Sequence, residues 1–546
     1  MLNRSLAAVF ALGVAAATVA QQPTPPTPPK PPSPLAPTGA PGGANPFMPT
    51  SQFAPPKRAE KPPPPFAYRS KLPTNPVATF AGRPDAGDPA KLVGGWRITD
   101  GDLLDHLLRS SFSTVGTTLT LAKVIEAELS AAKLTVTDAE VANEVAVLLN
   151  KMSPGKTLQD VVKSGAMSRV EIERQGWLTA AVDKLYQADL KATGAPAPAA
   201  DPGPGGGIMK QLYMRRLMEK YEIKKRGEEP APKAGLVAEV KRRDGGTTID
   251  VFADEGLEFM LGLVRPASLV DALGEIVDGR LATEAAAAAG KTVTDDEVWT
   301  WTAAMTAKYP PPFDWATICR IKGTTTEGEG ERWRRIQCWK RATGSEPTAE
   351  QLAAFLKGNM DYFSGQLKNV SHILIKTRDD VTGVERSAEV VAAAQKTAET
   401  ILAKAGEGVD FGYLAKTYSE DHTTAAGGGV LPQPVKKFSG GLDPAFQKAA
   451  YALALNDVAI AKSSFGWHVI KCDKITPGRD GIDFQSAMYQ EHIRDEYETQ
   501  AMKAWLEGLK AAGKIEKAPL ETLWKLKEIK FSAAAAAPVA APAEKK

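Results

Sequence analysis

The chain has 546 residues, with 67 basic and 64 acidic side chains and a formal net charge of +3. This length is sufficient for about three domains of ordinary size. Because the net charge is small for such a length, the composition argues against a dedicated nucleic-acid binder, and we expect no nucleic-acid partner.

The first 20 residues have the layout of a secretory signal peptide. Arg4 supplies a positive charge, residues 7–17 are apolar, and Val19-Ala20 precedes Gln21. The apolar run is too short to span a bilayer comfortably, and an uncleaved anchor is the alternative. No later stretch is long and apolar enough to span, so we expect an exported protein of the periplasm or cell envelope, with no stable membrane span in the mature chain.

Two segments of biased composition are expected to be disordered. Residues 21–90 hold 22 of the 41 prolines, which predicts an extended polyproline spacer. Residues 531–546 form an Ala/Pro tail. Neither composition favours a packed core.

The region from 91 to 366 is predicted to be helical and contains an internal repeat. TVTDAEV at residues 135–141 recurs as TVTDDEV at residues 292–298, each after an Ala/Leu-rich stretch. Both copies contain Thr-x-x-Glu, the capping box that begins a helix. We therefore predict one helical module at 91–192 and another at 247–366. Residues 193–246 are rich in Pro and Gly and predict a linker with a short basic helix.

The chain has three cysteines. An oxidising compartment would permit one disulfide, and Cys319 and Cys338 are the favoured pair because they lie in one module. Three buried free thiols are the alternative. No Cys/His spacing is typical of a zinc site, so no metal is expected.

Two histidines lie on apolar strands about ninety residues apart, in residues 369–375 (NVSHILI) and 465–470 (FGWHVI). Because strand side chains alternate between faces, His372 points with Val370 and Leu374. An unpaired imidazole on an apolar face is costly, so each histidine needs a partner. Between them lie DF at 410–411, YSED at 418–421, GGG at 427–429 and DPAF at 443–446.

The order and spacing of these motifs resemble the parvulin-type peptidyl-prolyl isomerases over residues 367–476. The resemblance implies an α+β domain with a four-stranded antiparallel sheet and surrounding helices. It implies a catalytic network of His372, Asp421, Ser463 and His468. It also implies a proline-binding pocket lined by Leu442, Phe446 and Phe465. Rotation about an X-Pro bond breaks no covalent bond, so no cofactor is expected.

Residue patterns alone leave some of these assignments open. Helical periodicity would place Phe446 in a core face with Ala450 and Leu453, and each histidine read alone could be a satisfied core residue. The remaining three histidines, His106, His422 and His492, are interpreted as surface or structural residues.

The glycine-rich loop departs from the family pattern. Many parvulins carry an aspartate and a further glycine here, whereas residues 427–432 read GGGVLP. The loop that borders the pocket is therefore expected to be rebuilt. Lys436 and Lys437 lie on the wrong side of the motif to form a phosphate-binding cluster.

Residues 477–530 are predicted to contain a long amphipathic helix at 483–510 that packs back on the helical modules. Its apolar positions are Met488, Ile493, Tyr497, Met502 and Trp505. The helical modules and this helix resemble those of the SurA, PpiD and PrsA chaperone families.

The combined pattern predicts a multidomain protein, with mainly helical SurA-like modules plus a parvulin domain. The first hypothesis is an exported isomerase and chaperone. Its partners would be unfolded or partly folded secreted or envelope proteins that contain X-Pro bonds. The alternative is a non-catalytic holdase that uses a degenerate parvulin domain for peptide binding. A third hypothesis is a cell-wall scaffold with the Pro-rich segment as its stalk.

Overall fold

The computed structural model describes residues 57–58, 62–63, 65–84, 92–152, 155, 157–163, 168–194, 203–246, 248–264, 266–309, 314–322, 324–379, 385–438 and 442–528. The predicted signal peptide, most of the predicted spacer up to residue 56, and the predicted tail at 531–546 lie outside these residues. Within the described part of the chain, no helix is both long enough and apolar enough to cross a bilayer.

The protein is mainly helical, with several small antiparallel sheets. The helices are α1 Asp100–Ala131, α2 Asp138–Met152, α3 Leu158–Lys163, α4 Arg169–Thr193, α5 Gly203–Glu219, α6 Ala253–Leu261, α7 Pro266–Ala288, α8 Asp295–Lys308, α9 Trp315–Lys322, α10 Thr326–Thr343, α11 Ala349–Gly358, α12 Met360–Phe363, α13 Ala388–Gly406, α14 Phe411–Tyr418, α15 Pro444–Ala452, α16 Ala487–Ala512 and α17 Leu520–Trp524. The strands are β1 Lys57–Arg58, β2 Pro76–Phe80, β3 Arg83–Pro84, β4 Leu92–Val93, β5 Trp96–Thr99, β6 Tyr221–Lys225, β7 Glu228–Glu229, β8 Leu236–Arg242, β9 Thr248–Phe252, β10 Leu367–Lys376, β11 Val458–Lys462, β12 Gly466–Thr476 and β13 Ile515–Lys517.

The largest hydrophobic core joins helices from both predicted modules. Buried leucines of α1 pack with Leu257 and Met260 of α6, with Leu273 and Leu281 of α7, and with β2. We call the residues outside 367–476 that share or adjoin this core the helical body. Because one core contains residues of both predicted modules, the two modules are not separate domains.

Both copies of the repeated motif begin a helix as predicted. Thr137 and Glu140 bond each other's backbone N–H groups at the start of α2. Thr294 and Glu297 make the same capping box at the start of α8. This local signal was reliable because the capping interaction involves only residues three positions apart.

The end of the Pro-rich segment is part of the core, so the predicted spacer at 21–90 is too long. Val77, Ala78 and Phe80 of β2 are almost fully buried. β2 is the central strand of a three-stranded antiparallel sheet in the order β13-β2-β5. Most of the prolines that suggested disorder precede β2, Pro76 begins it, where a missing N–H group is tolerated, and Pro84 and Pro89 follow it.

The predicted linker at 193–246 is also structured in large part. The basic helix is present as α5, and it is followed by the antiparallel sheet β6-β8-β9. Val237, Ala238 and Val240 of β8 are buried. Residues 236–240 (LVAEV), apolar except for Glu239, could have indicated the strand, and the Pro and Gly residues on either side of them mark turns.

All three cysteines are buried free thiols, so the favoured disulfide between Cys319 and Cys338 does not form. Cys338 belongs to the main core. Burial raises the pKa of the Cys319 thiol to about 12. The alternative of free thiols is the one that the structure shows.

Residues 367–476 form a separate α+β unit, the inserted domain. Its sheet has the order β10-β12-β11 and is antiparallel, with helices α13, α14 and α15 packed around it. The prediction of four strands is met only in part. Residues 430–435 run beside the free edge of β10, but they meet it only at the isolated bridges Ser371–Val430 and Lys368–Val435.

The long C-terminal helix α16 returns to the helical body. Met502 and Leu506 are buried in the main core, and Tyr497 and Trp505 pack against it. Ile493 is buried with Leu352 and Phe363 of α11 and α12.

One predicted apolar position of α16 does not bury. Met488 is 69% exposed because it lies in the first turn, before the helix reaches the core.

Candidate active site

The two strand histidines lie face to face at the centre of the inserted domain. β10 and β12 are adjacent and antiparallel, with His372 opposite Ile470 and Leu374 opposite His468. This register places the two imidazoles on the same face, with their Nδ1 atoms 3.2 Å apart. The predicted proximity of the two histidines is therefore confirmed.

Polar side chains on both sides extend the pair into one network. His372 Nε2 lies 2.9 Å from Asp421 Oδ2 and 3.1 Å from Thr424 Oγ1. On the other side, Ser463 Oγ lies 2.7 Å from His468 Nε2. The structure thus brings together all four residues predicted for the network, and it adds Thr424.

One assignment of protons gives each ring nitrogen of this hydrogen-bonded network a partner and leaves both imidazoles neutral. Ser463 donates to His468 Nε2, His468 Nδ1–H donates to His372 Nδ1, and His372 Nε2–H donates to the Asp421 carboxylate. The Ser463 oxygen in turn accepts from the backbone N–H of Phe465 at 3.0 Å. The network can therefore be fully paired without a buried charge on either ring.

Burial, together with the neighbouring His372, lowers the pKa of His468 to about 3. The pKa of Asp421 is also lowered: burial opposes this, but hydrogen bonds from His372, Thr423 and Thr424 outweigh it. The site therefore holds a neutral His468 and an ionised Asp421 across the physiological pH range.

An aromatic side chain covers the two imidazoles. The ring of Phe446, on α15, lies edge-on to His372 at 5.5 Å and to His468 at 4.9 Å between centroids. Phe446 is buried, Leu442 is half-buried against the same core, and Phe465 is 40% exposed. Periodicity alone placed Phe446 in the core, and it is buried there. Its assignment to a proline-binding pocket, which the family pattern implies, stays a prediction.

Helix α15 is held at both ends. Asp443 caps its first turn through the backbone N–H groups of Ala445 and Phe446, and its other oxygen accepts from the Ser464 N–H at 2.9 Å. At the far end, the buried Lys368 Nζ donates to the carbonyl oxygens of Tyr451 and Leu453. These contacts fix Phe446 relative to the turn that carries Ser463.

Sequence reasoning missed three residues that order the site. Asp443 could have been found, because Asp before Pro at the start of a helix is an N-cap signal. Lys368 carried no signal, since its partners Tyr451 and Leu453 lie more than 80 residues away. Thr424 lies three residues after Asp421, to which it donates, but its contact with His372 depends on the tertiary fold.

The glycine-rich loop, where the sequence departs from the family pattern, is hydrogen-bonded to the strand that carries His372. The Gly429 carbonyl accepts from the His372 backbone N–H at 2.8 Å, and Leu431 N–H donates to the Val370 carbonyl at 3.0 Å. Gly429 has φ +81°, and a Cβ there would lie 2.4 Å from the His372 carbonyl oxygen. Position 429 therefore requires glycine, because the loop backbone lies too close to the His372 backbone for a Cβ atom.

The structure also locates the side chains interpreted as lying outside the site. His106 pairs with Glu275, His492 packs against Tyr362 and Phe363, and Lys437 pairs with Asp361. Among the described residues, no group of three or more His, Cys, Asp or Glu side chains is arranged to hold a metal ion.

Comparison with known proteins identifies the inserted domain. Residues 358–475 match the family model described as PPIC-type PPIASE domain. This chain carries a PPIC-type parvulin domain. The match covers both histidine strands and all of the helices between them.

Similar sequences are known from several bacteria. A parvulin-like PPIase of Rickettsia typhi is 38% identical over 125 residues, which are 22% of this chain and 43% of the relative. A foldase protein PrsA of Caldanaerobacter subterraneus is 32% identical over 138 residues, 25% of this chain and 43% of the relative. The chain thus spans less than half of the length of these relatives.

Solved structures also show similarity. PrsA from Bacillus anthracis is 20% identical, covering 47% of this chain and 98% of that one, with a TM-score of 0.23. A structure from work on the SurA-like chaperones PEB4 and Cj1289 of Campylobacter jejuni is 18% identical. It covers 40% of this chain and 92% of that one, with a TM-score of 0.15.

The low pKa of His468 predicts that the parvulin domain loses stability in acid. Its pKa is about 3 in the folded state, against 6.5 ordinarily. The unfolded chain therefore binds the proton first, and stability falls as pH drops below 6.5. Between pH 6.5 and pH 4 we expect a loss of about 3 kcal/mol from this group. Urea unfolding of the 367–476 fragment at a series of pH values measures it.

The variant His468→Asn provides the control for this acid effect. Asn cannot titrate, so the slope between pH 6.5 and pH 4 should flatten, whereas losses through Asp421 begin only below its ordinary pKa and should remain. An unchanged slope in the variant would mean that another group is responsible.

Proposed function

We propose that the protein is an exported peptidyl-prolyl cis-trans isomerase and chaperone. Its substrates would be unfolded or partly folded secreted or envelope proteins that contain X-Pro bonds. The observation that carries the catalytic part is the intact network under Phe446: His372, His468, Asp421 and Ser463 are all paired, and an aromatic ring covers them.

The chemistry requires only a pocket. An X-Pro bond rotates over a barrier of about 18–20 kcal/mol, and the planar amide is more dipolar than the twisted one. An apolar site that holds the proline ring away from water therefore favours the twisted amide. The buried Phe446 and the half-buried Leu442 would supply the apolar wall, and Phe465, which is 40% exposed, would contact the bound chain.

The histidine network would shape the floor of this pocket. His468 is neutral and paired to Ser463, so neither of these two side chains brings a charge to the floor. Asp421 stays ionised but is occupied by His372, Thr423 and Thr424. We propose that these residues act by position and electrostatics and that no proton is transferred.

A proline-isomerisation assay on the full chain and on the 367–476 fragment tests this proposal. Both should accelerate cis-trans exchange of an X-Pro peptide, since the network and Phe446 lie within the fragment. If neither the folded full chain nor the folded fragment accelerated cis-trans exchange, the catalytic part of the proposal would be contradicted.

The chaperone part rests on a groove in the helical body. The groove has a volume of about 1090 Å³ and lies between α1, α2, α4 and α6. Val145, Leu149, Val170, Trp177 and Phe259 are among its apolar lining residues. Charged side chains also line it, including the Lys123–Glu255 ion pair at 2.9 Å. A mainly apolar trough of this kind suits an apolar segment of an unfolded chain.

A pair of exposed valines allows a matched test of the groove. Val170 lines it and is 44% exposed, whereas Val147 on the neighbouring helix is 42% exposed and is not among the lining residues. Val170→Glu should weaken suppression of client aggregation several-fold, because it places a charge in the apolar trough. Val147→Glu should leave suppression unchanged.

Equal losses in both variants would mean that the groove is not the binding surface. Since both valines are exposed, neither change is expected to alter folding, which circular dichroism checks.

Export is the part of the proposal that rests on sequence alone. The signal-like residues 1–20 carry it, and cell fractionation with N-terminal sequencing of the purified protein tests it. Recovery of the intact chain from the cytoplasm would contradict it.

The rebuilt glycine loop favours a second function, a holdase whose parvulin domain only binds peptides. Residues 430–435 run along β10 as a pocket border that lacks the usual aspartate. Two assays distinguish these functions. The holdase would suppress aggregation without accelerating X-Pro rotation. The isomerase and chaperone would suppress aggregation and accelerate X-Pro rotation.

A further inference from the structure

The helices of the body repeat with a constant spacing. α1 and α7 end at Ala131 and Ala288, 157 residues apart. The same interval separates the first residues of α2 and α8, of α3 and α9, and of α4 and α10. Because four successive helices share this interval without a gap, the two segments have the same order and spacing of helices.

Side-chain contacts repeat at the same interval. Lys184 of α4 binds the Thr135 carbonyl and Glu140, and Arg341 of α10 binds the Thr292 carbonyl and Glu297. One residue earlier on each helix, an ion pair reaches a later helix of the body. These pairs are Asp183–Lys210 at 2.5 Å, to α5, and Lys340–Glu498 at 2.7 Å, to α16.

The starts of the two segments correspond as well. β5 leads directly into α1, and β9 leads directly into α6. Asp102 accepts from the Thr99 N–H as Glu255 does from the Phe252 N–H, 153 residues later. The interval grows by four at residues 262–265, where the single helix α1 corresponds to the broken pair α6 and α7.

The two units exchange an edge strand. α5 and β6 end the first unit, but β6 pairs with β8 of the second unit. α16 and β13 end the second unit, but β13 pairs with β2 of the first unit. Each unit thus supplies the third strand of the other unit's sheet, so β13-β2-β5 corresponds to β6-β8-β9.

Ion pairs between the units are reciprocal. Lys123 of the first unit pairs with Glu255 of the second at 2.9 Å. Arg280, 157 residues after Lys123, pairs with Asp102 of the first unit at 4.0 Å. Reciprocal contacts of this kind characterise an interface with twofold symmetry.

We infer that the helical body is a covalent pair of equivalent units that exchange edge strands, as two subunits of a strand-exchanged dimer would. Only one unit carries a parvulin domain. In the second unit, residues 344–486 separate α10 from α16 and contain that domain. In the first unit, the nine residues 194–202 join α4 to α5 at the same point.

The two units have diverged at the groove. Five apolar lining residues of the first unit's groove correspond to polar residues at the equivalent positions. These are Val145 and Thr302, Leu149 and Thr306, Val170 and Glu327, Trp177 and Arg334, and Phe259 and His106. The fold therefore tolerates polar residues there. At these five positions, the unit without a parvulin domain has the apolar residues.

Cysteine pairs placed across the exchanged strands test this inference in the full chain. Thr79 faces Glu516 in β2 and β13, and Glu222 faces Lys241 in β6 and β8. Directly opposed residues of adjacent strands lie within reach of a disulfide. A protease site inserted between Ala234 and Gly235, both exposed, separates the units after folding.

Both pairs, Thr79→Cys with Glu516→Cys and Glu222→Cys with Lys241→Cys, should oxidise within one chain. After cleavage, each disulfide should hold the two halves together under denaturing, non-reducing conditions. The uncut protein should be a monomer by light scattering. The mismatched pair Glu222→Cys with Glu516→Cys, in different sheets, should not link the halves.

Two outcomes would overturn the inference. Disulfides that join two chains would mean that separate copies, rather than the two units of one chain, exchange strands. No linkage through either matched pair would mean that the edge strands are not exchanged. Neither outcome bears on isomerase activity, so this test is independent of the proposed function.

Discussion

Phe446→Ala is expected to lower isomerase activity by about 100-fold in kcat/KM, equivalent to about 2.7 kcal/mol of transition-state stabilisation. The ring of Phe446 contacts both imidazoles and forms the buried wall of the proposed pocket. Its loss removes the apolar contact with proline and admits water. His372→Asn should cost less, because the network shapes the floor without transferring a proton. A protease-coupled assay on an X-Pro peptide measures both.

A matched core variant separates this effect from loss of stability. Truncating a buried aromatic residue costs about 3–5 kcal/mol of folding free energy. Phe411 is similarly buried, but it belongs to the core on the other side of the sheet. Phe411→Ala should therefore lower the melting temperature as much as Phe446→Ala and leave activity near that of the parent. If folded Phe446→Ala, with Leu442 and Phe465 intact, kept full activity, the proline-binding pocket would not be the one proposed.

Deletion of residues 483–530 is expected to destabilise the helical body and leave the melting of the parvulin domain unchanged. The deletion removes Met502 and Leu506 from the main core and β13 from its pairing with β2. Each buried side chain of this size is worth about 2–5 kcal/mol, so the body transition should fall by more than about 10 °C. Differential scanning calorimetry resolves the two transitions.

Single substitutions on the same helix refine this test. Leu506→Asp places a charge in the core and should reproduce the effect of the deletion, whereas Met488→Asp changes a residue that is 69% exposed and should have almost none. If the deletion instead lowered only the parvulin transition, α16 would belong to that domain and not to the body.

Local patterns predicted the parvulin domain well. His372 and His468 were recognisable because strand alternation places each on an apolar face where a polar ring needs a partner. Their partners Asp421 and Ser463 followed from the family spacing. The capping boxes at Thr137 and Thr294 were equally reliable, because all of their atoms lie within one helical turn.

Composition misled where burial depends on distant residues. The Pro-rich end of the first segment and the Pro/Gly-rich stretch at 193–246 were interpreted as spacer and linker, yet β2 and β8 are central strands. A strand is stable only when its neighbours are in place, and one neighbour of β2 is β13, from the far end of the chain. No window of local sequence contains that information.

The sequence by itself determined where the capped helices α2 and α8 begin and that a motif repeats at 135–141 and 292–298. Together with the family spacing, it determined four residues of the histidine network. The tertiary structure alone decided that the repeats form one body with a shared core. It also decided that the edge strands are exchanged and that Phe446 covers both imidazoles. The physical reason is range: caps and periodicity act over one or two turns, whereas strand pairing and core packing join residues hundreds of positions apart.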